Sequence, residues 1–92
     1  MTVWVDPPRK CLAGPSWPWG EACHLLADDL DELHRFARGL GLKREWFQGP
    51  PAHRVAHYDL AAAMRVKAVR AGAVELKTWA EVRAAFARAR CT

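Results

Sequence analysis

Short apolar runs near the start of the chain predict two strands. Residues 2–5 are β-branched or aromatic and are followed by Asp6 and two prolines, which predicts a buried strand with Asp6 at its carboxyl end. Residues 22–27 form a second apolar run, interrupted by His24, and predict another strand. Between them, residues 7–20 hold four of the six prolines and predict a long surface loop.

Two capping boxes mark the beginnings of helices. Asp29 and Glu32 precede an apolar stripe at helical spacing that ends at Gly41, which predicts a first helix. Thr78 and Glu81 open another helix near the end of the chain in the same way. The inward stripes are predicted to be Leu30, Leu33, Phe36, Ala37 and Leu40 in the first helix, and Trp79, Val82, Phe86 and Ala89 in the last.

A third helix is predicted over residues 59–71, with Asp59 as its N-cap. Residues 45–47 and 73–76 predict two further short strands. Strands alternating with helices indicate a small α/β domain with about four strands and about three packed helices. The expected core is Val3, Val5, Leu25, Leu33, Phe36, Leu40, Leu60, Met64, Val74, Leu76, Val82 and Phe86.

The composition fits one small domain over residues 1–92. Hydrophobic residues make up 51% of the chain and charged residues 26%, which argues against disorder. A chain of this size builds one modest core, so a second copy is a candidate partner. No apolar run approaches a membrane span and no secretory signal is visible, so we expect a cytoplasmic protein. The three cysteines are widely spaced and are expected to be reduced thiols.

Charge is distributed unevenly. Residues 1–42 carry four basic and six acidic side chains, net −2, whereas residues 43–92 carry ten basic and four acidic ones, net +6. The basic half is suited to an anionic partner, but scattered solvated arginines are the simpler explanation and are favoured.

His57, Tyr58 and Asp59 form the most informative polar cluster. Three hydrogen-bonding side chains stand together where a proline-rich loop meets a predicted helix, and a helix N-terminus favours an anion. With Asp59 occupied as the N-cap, His57 is expected to be an acid or base and Tyr58 a hydrogen-bond donor. Arg65, almost two turns later, is a candidate clamp for a phosphate or carboxylate.

Other polar residues allow two interpretations each. His24 belongs either to a site at the sheet edge or to the core as a hydrogen-bonded histidine, and His34 is either an outer site residue or part of a solvated helix edge. Asp28 either joins the site or competes with Asp29 as a cap. A divalent metal is a possible cofactor, with Asp6, His24, Asp28, His57 and Asp59 as mixed oxygen and nitrogen ligands suited to Mg, Mn or Zn.

The loop tryptophans point to a rival function. Trp17 and Trp19 are suited to stacking on bases or anchoring an interface, or they simply cover one end of the core. With Arg83, Arg88 and Arg90 of the last helix they would form a binding module for nucleic acid or protein. No recognised nucleic-acid-binding signature accompanies them, and Trp46 and Trp79 are expected to be core residues.

Several motifs together resemble a known family. The chain resembles the bacterial and phage domain-of-unknown-function family 4031 in the following motifs: Val5-Asp6, Cys-His24-Leu-Leu-Ala-Asp28, Leu30-Asp-Glu-Leu-His34, Gly41-Leu, Trp46-Phe-Gln48, His57-Tyr-Asp59-Leu and Ala71-Gly-Ala73. The resemblance covers roughly residues 3–76, and the tryptophan-containing loop and the last helix show no family pattern. It implies no activity. It implies motif positions at Asp6, His24, Asp28, His34, Trp46, His57, Tyr58 and Asp59.

So many polar motif positions in a small domain favour a site over a packing role. We therefore expect an enzyme-like site built from His24, Asp28, His57, Tyr58 and Asp59, with Asp6 and His34 as outer members and Arg65 binding the anion. Its expected substrate is a phosphorylated small molecule or a nucleic-acid end. Sharing one substrate requires His24 and His57 to lie on one face, within about 12 Å of each other.

Overall fold

Strand β3 organises the sheet. In the computed structural model, which describes residues 2–15 and 17–90, β3 pairs antiparallel with three other strands, and β1 in turn pairs parallel with β5. The strands are β1 Val3–Val5, β2 Arg9–Lys10, β3 Glu21–Ala27, β4 Tyr58–Leu60 and β5 Val74–Glu75. The helices are α1 Leu30–Gly39, α2 Ala62–Arg70 and α3 Trp79–Ala89, with a 3₁₀ turn at Arg44–Trp46. The predicted α/β class is confirmed.

Side-chain alternation along β3 divides the molecule into two layers. Cys23, Leu25 and Ala27 face a core that also contains residues of α1 and α2. Leu26 faces a second, smaller core with Trp4, and this core contains the inner side of α3. His24 belongs to the same alternation as Leu26, so its side chain lies on the α3 side of the sheet.

The strand predicted at residues 45–47 does not form. Residues 44–46 are a 3₁₀ turn, and the next strand in the chain is β4, which pairs with β3. Helix α2 accordingly begins at Ala62, and its N-cap Ala61 has no side-chain cap. The prediction that Asp59 is the N-cap is wrong, because Asp59 sits inside β4 opposite His24.

Helix caps match the sequence more closely. Asp29 accepts a hydrogen bond from the Glu32 backbone at 2.9 Å, while the Glu32 side chain pairs with Arg35. Thr78 and Glu81 form the complete capping box expected of them.

The predicted core and inward stripes are largely correct, with four exceptions. Val74 is 46% exposed, Trp46 50%, Trp79 77% and Leu30, from the predicted inward stripe of α1, 39%, so these side chains are not core residues. Trp79 lies outside because the inward face of α3 runs through Val82, Ala85 and Phe86. Trp4, which was not in the predicted core, is buried instead.

Candidate functional site

Two histidines and a carboxylate converge on the α3 side of the sheet. His24 and Asp59 are register partners across β3 and β4, and His57 lies two residues before Asp59, so all three side chains share one face. Asp59 Oδ1 lies 3.8 Å from His24 Nε2 and 3.7 Å from His57 Nε2. The two imidazole centroids are 4.8 Å apart, well within the 12 Å limit set from the sequence.

The other ring nitrogen of each histidine is occupied. His57 Nδ1 lies 2.7 Å from the carbonyl oxygen of Val55, which accepts only, so Nδ1 carries the proton. His24 Nδ1 donates in the same way to Asp6 Oδ2 at 2.7 Å. In the neutral rings both Nε2 atoms therefore carry a lone pair, and both lie within 4 Å of Asp59 Oδ1.

Asp6 fixes the position of His24 twice. This carboxylate is 5% exposed, at the end of β1, and its Oδ1 accepts the backbone N–H of His24 at 2.6 Å. Its other oxygen binds the His24 ring. A carboxylate behind a histidine sets the tautomer and raises the basicity of the outward nitrogen, which is the usual arrangement around metal-ligating histidines.

Gln48 orients Asp59 in a comparable way. Its side-chain amide donates to Asp59 Oδ2 at 2.8 Å, which leaves Oδ1 directed at the histidines. Two backbone hydrogen bonds, of 2.8 and 3.0 Å, join Gln48 to His57 and hold the amide in place. The sequence analysis names Gln48 only as part of a family motif and not as a site residue. Its contact with Asp59 depends on the fold.

Burial keeps His57 neutral. Its side chain is 11% exposed, and desolvation lowers the pKa of the imidazole below its usual value. The neutral form is the one that binds metals.

The three Nε2 and Oδ1 atoms all lie within 4.8 Å of one another. Around a zinc ion with bonds of about 2.0–2.2 Å, tetrahedral ligand atoms are separated by roughly 3.3–3.6 Å. The separations of 3.8 and 3.7 Å to Asp59 exceed this by a few tenths of an ångström at most, whereas the two imidazole nitrogens lie within the wider limit of 4.8 Å, so the rings must move together to share an ion. Three protein ligands leave a position open, as in catalytic zinc sites.

Arg9 contacts the same histidine. Its Nη2 lies 3.1 Å from His24 Nε2, which shows that this nitrogen acts as an acceptor. The Arg9 side chain is exposed and must move aside for a cation to bind there.

A groove of about 880 Å³ runs past both histidines. Among the described residues that line it, Asp6 is the one acid, and its carboxylate is already bound to His24. His53, which the sequence analysis left out of the predicted site, also lines the groove, with its ring 5.3 Å from that of His57. The basic lining residues are Arg9, Arg54, Lys77, Arg83 and Arg90, and the exposed or partly buried apolar ones include Val55, Trp79, Val82 and Phe86.

The comparisons with known proteins agree with the motif resemblance. A family model described as "Protein of unknown function (DUF4031)" matches residues 3–89. The chain belongs to the DUF4031 family. The match extends over the tryptophan-containing loop and the whole of α3, which were expected to depart from the family pattern. No curated protein and no solved structure matches the chain.

Asp28 lies outside the site of this DUF4031 chain. Its two oxygens bind the Thr2 backbone N–H at 2.8 Å and the Arg88 guanidinium at 2.7 Å. The hydrogen bond from Thr2 and the nearby charge of Arg88 hold the pKa of this carboxyl below its usual value. The prediction that Asp28 joins His24 is corrected, since four residues along a strand separate them by roughly 13 Å.

Tyr58 and His34 form a separate pair on the opposite side of the sheet. Tyr58 is buried in the larger core, and its hydroxyl lies 2.8 Å from His34 Nδ1. Burial lowers the pKa of His34 and raises that of Tyr58. The prediction that Tyr58 shares a site with His57 is corrected, because neighbouring side chains in a strand point to opposite faces of the sheet.

Arg65 is engaged within the fold. Its Nε donates to the Asp6 carbonyl at 3.1 Å and its Nη1 to Glu75 at 2.9 Å. Arg65 therefore connects α2 to the ends of β1 and β5. It is not among the basic residues that line the groove.

Within residues 2–15 and 17–90, no helix is long and apolar enough to cross a membrane.

Proposed function

We propose that this DUF4031 chain is a metal-dependent hydrolase of phosphate esters, with His24, His57 and Asp59 as the metal ligands. The observation that carries the proposal is the convergence of three ligand atoms within 4.8 Å, each on a side chain whose other polar atom is held elsewhere. Asp6, Val55 and Gln48 are the hydrogen-bond partners of these other atoms.

The ligand chemistry favours a first-row transition metal over magnesium. Two imidazoles and one carboxylate suit zinc, iron or manganese, whereas magnesium prefers oxygen donors and retains water. A bound divalent ion of this kind polarises a phosphoryl oxygen and lowers the pKa of water.

The groups around the three proposed ligands have defined tasks. Asp6 holds the His24 tautomer, and Gln48 holds the Asp59 carboxylate. Arg9, once displaced from His24, is placed to donate to an anionic oxygen beside the metal ligands. The exposed imidazole of His53 is the available proton carrier next to His57.

Metal binding and hydrolysis can be tested on one preparation. The chain is stripped with a chelator and titrated with zinc, manganese or magnesium against a chromogenic indicator, and chromogenic phosphate monoesters and diesters are then assayed with each ion. We expect one zinc site and hydrolysis that depends on a transition metal.

The variant Asp59→Asn removes the charged ligand while keeping its shape, so we expect zinc affinity to fall about 100-fold and activity to be lost. Asp31→Asn, at an exposed carboxylate of α1, is the matched control. Zinc binding that is equal in the two variants would overturn the metal site. Zinc binding without hydrolysis of either ester would overturn the hydrolase assignment and leave the metal site.

A cytoplasmic location belongs to the same proposal, supported by the free thiols of Cys11 and Cys23. A homodimer remains a prediction from chain length.

A further inference from the structure

The groove beside the metal ligands contains an aromatic side chain that packing does not explain. Trp79 is 77% exposed at the beginning of α3 and lines the same groove as His24 and His57. Exposing an indole ring to water costs free energy that a second planar ring recovers by stacking. Val82 and Phe86 follow it along the groove wall.

None of the five basic residues that line the groove has an ion pair within the described residues. Arg9 is hydrogen-bonded to His24, and four further cations remain: Arg54, Lys77, Arg83 and Arg90. Outside the groove, Arg35, Arg65 and Arg88 are paired with acids, whereas six described basic residues are not: Lys10, Arg38, Lys43, Arg44, Lys67 and Arg70. The groove differs in that its cations line one concave surface, where the one described acid, Asp6, is already bound to His24. Such a groove attracts a polyanion.

The size of the groove exceeds that of a single phosphate group. Its volume of about 880 Å³ is near the upper end of the roughly 300–1,000 Å³ typical of sites for drug-sized ligands. The four cations come from three parts of the chain: Arg54 before β4, Lys77 before α3, and Arg83 and Arg90 in and just after α3. Charges spread in this way fit several phosphates better than one.

We propose that this groove binds single-stranded nucleic acid, with a base stacked on Trp79 and the phosphodiester backbone following the four cations toward His24 and His57. The inference names the substrate class of the proposed hydrolase and rests on that proposal only for the cleavage step. A single strand is required because inside a duplex both faces of a base are covered by its stacked neighbours, which leaves no face for the indole. Trp17 and Trp19, the aromatics that the sequence favoured for this role, pack against each other outside the residues that line the groove.

Binding is measured by fluorescence anisotropy with a labelled oligothymidylate of about twelve nucleotides, on metal-free protein in chelator. We expect Trp79→Ala to weaken binding about 5-fold or more, because a base on an aromatic ring contributes at least that much. Trp79→Phe should retain most of the affinity. The matched control is Trp19→Ala, at an indole that is 59% exposed and away from the groove, and it should bind as the wild type does.

The charge contribution is separated by salt and by ligand. Raising the salt from about 50 to about 200 mM should weaken binding steeply, and Arg83→Ala should reduce the salt slope by roughly 0.7. Arg70→Ala, at an exposed arginine of α2 outside the groove, should leave the slope unchanged. An abasic oligonucleotide should bind more weakly than oligothymidylate and be indifferent to Trp79→Ala.

Four results would overturn the inference: no binding at low salt, duplex bound as tightly as single strand, polyglutamate competing as well as the oligonucleotide, or equal losses in Trp79→Ala and Trp19→Ala. A zinc titration of the same proteins separates the two proposals. Oligonucleotide binding without a zinc site would overturn the metal-dependent function alone. A zinc site in a protein that ignores oligonucleotides would overturn this inference alone.

Discussion

His24 and Asp59 face each other across the β3–β4 ladder, with His24 Nε2 3.8 Å from Asp59 Oδ1. The register that pairs them also places Cys23 opposite Leu60 and Leu25 opposite Tyr58 in the larger core. Because side chains alternate between faces, a slip of one residue would bury the polar pair and expose the apolar ones. The packing of the core therefore fixes the geometry of the site.

Replacing Asp6 by Asn should weaken zinc binding about 10- to 100-fold. The amide can present a donor where the carboxylate accepts, which favours the His24 tautomer that has its proton on Nε2 and its lone pair turned away from Asp59. The free energy of unfolding should also fall, by about 1–3 kcal/mol, because the buried hydrogen bond from the His24 ring to the Asp6 carboxylate is lost. The measurements are a competitive zinc titration and urea unfolding.

Asp28→Asn is the matched control for that change. Asp28 also accepts a backbone N–H and also pairs with a basic side chain, but it lies outside the metal cluster. It should lose stability and keep its zinc affinity. Equal loss of zinc affinity in both variants would mean that Asp6 acts only through the fold.

Removing the Arg9 side chain should strengthen zinc binding. Arg9 donates to the same His24 nitrogen that coordinates in our account, and its positive charge opposes that of the ion. In Arg9→Ala we expect an increase of roughly 3- to 10-fold in zinc affinity and weaker binding of an oligonucleotide. Lys10→Ala changes the next residue of β2 and serves as control. Unchanged zinc affinity in Arg9→Ala would place the ion away from His24 Nε2.

Arg65 should prove structural. Arg65→Met leaves the Asp6 carbonyl without this donor and breaks the pair with Glu75, so the free energy of unfolding should fall by about 1–3 kcal/mol. Arg70→Met, on an exposed side of the same helix, should cost far less. If Arg65→Met instead kept its stability and lost affinity for phosphate or oligonucleotide, the anion-clamp role expected from the sequence would be right.

Stability of the metal-free protein should depend on pH through His57. Burial lowers its pKa in the folded state, so below the unfolded value of about 6.5 the unfolded chain binds protons that the folded chain resists. The free energy of unfolding is therefore greatest above that value and falls as the pH drops toward the folded pKa. His34, with its pKa lowered by burial, adds to the same trend.

Urea unfolding at about pH 7.5 and 5.5 tests this dependence. His57→Gln should show a smaller decline between the two values than the wild type, because a group that resists protonation has been removed. His53→Gln, at an exposed histidine of the neighbouring loop, should keep the full decline. An identical decline in wild type and His57→Gln would contradict the assignment.

Local sequence signals were sufficient to predict the strands and helices that have an apolar run or a helix cap. The apolar runs of β1 and β3 and the caps Asp29 and Thr78 act over a few residues, and the structure has each where the sequence predicts it. Strand β4 has no such signal, because three residues become a strand only by pairing with β3. Asp59 was therefore interpreted as a cap, the ordinary role of an aspartate before a helix.

The candidate site, like the fold, was predicted from the sequence only in part. His24, His57, Asp59 and Asp6 were candidates because their residue types carry chemistry, whereas their convergence depends on the β3–β4 register. The contacts of Gln48 and Arg9 depend on pairings with His57 and β3 that span many residues, and a single sequence gives no sign of them. Exposure of Trp79 depends on which side of α3 meets the sheet.

The most direct test of the metal site is anomalous diffraction at the zinc absorption edge, from crystals of the Cys11→Ser chain grown with one equivalent of zinc. This variant removes the exposed thiol, which is the obvious competing ligand among the described residues. Our account predicts one peak about 2.0–2.2 Å from His24 Nε2, His57 Nε2 and Asp59 Oδ1. A cluster without a peak, or zinc held by other residues while these three side chains keep their positions, would contradict it.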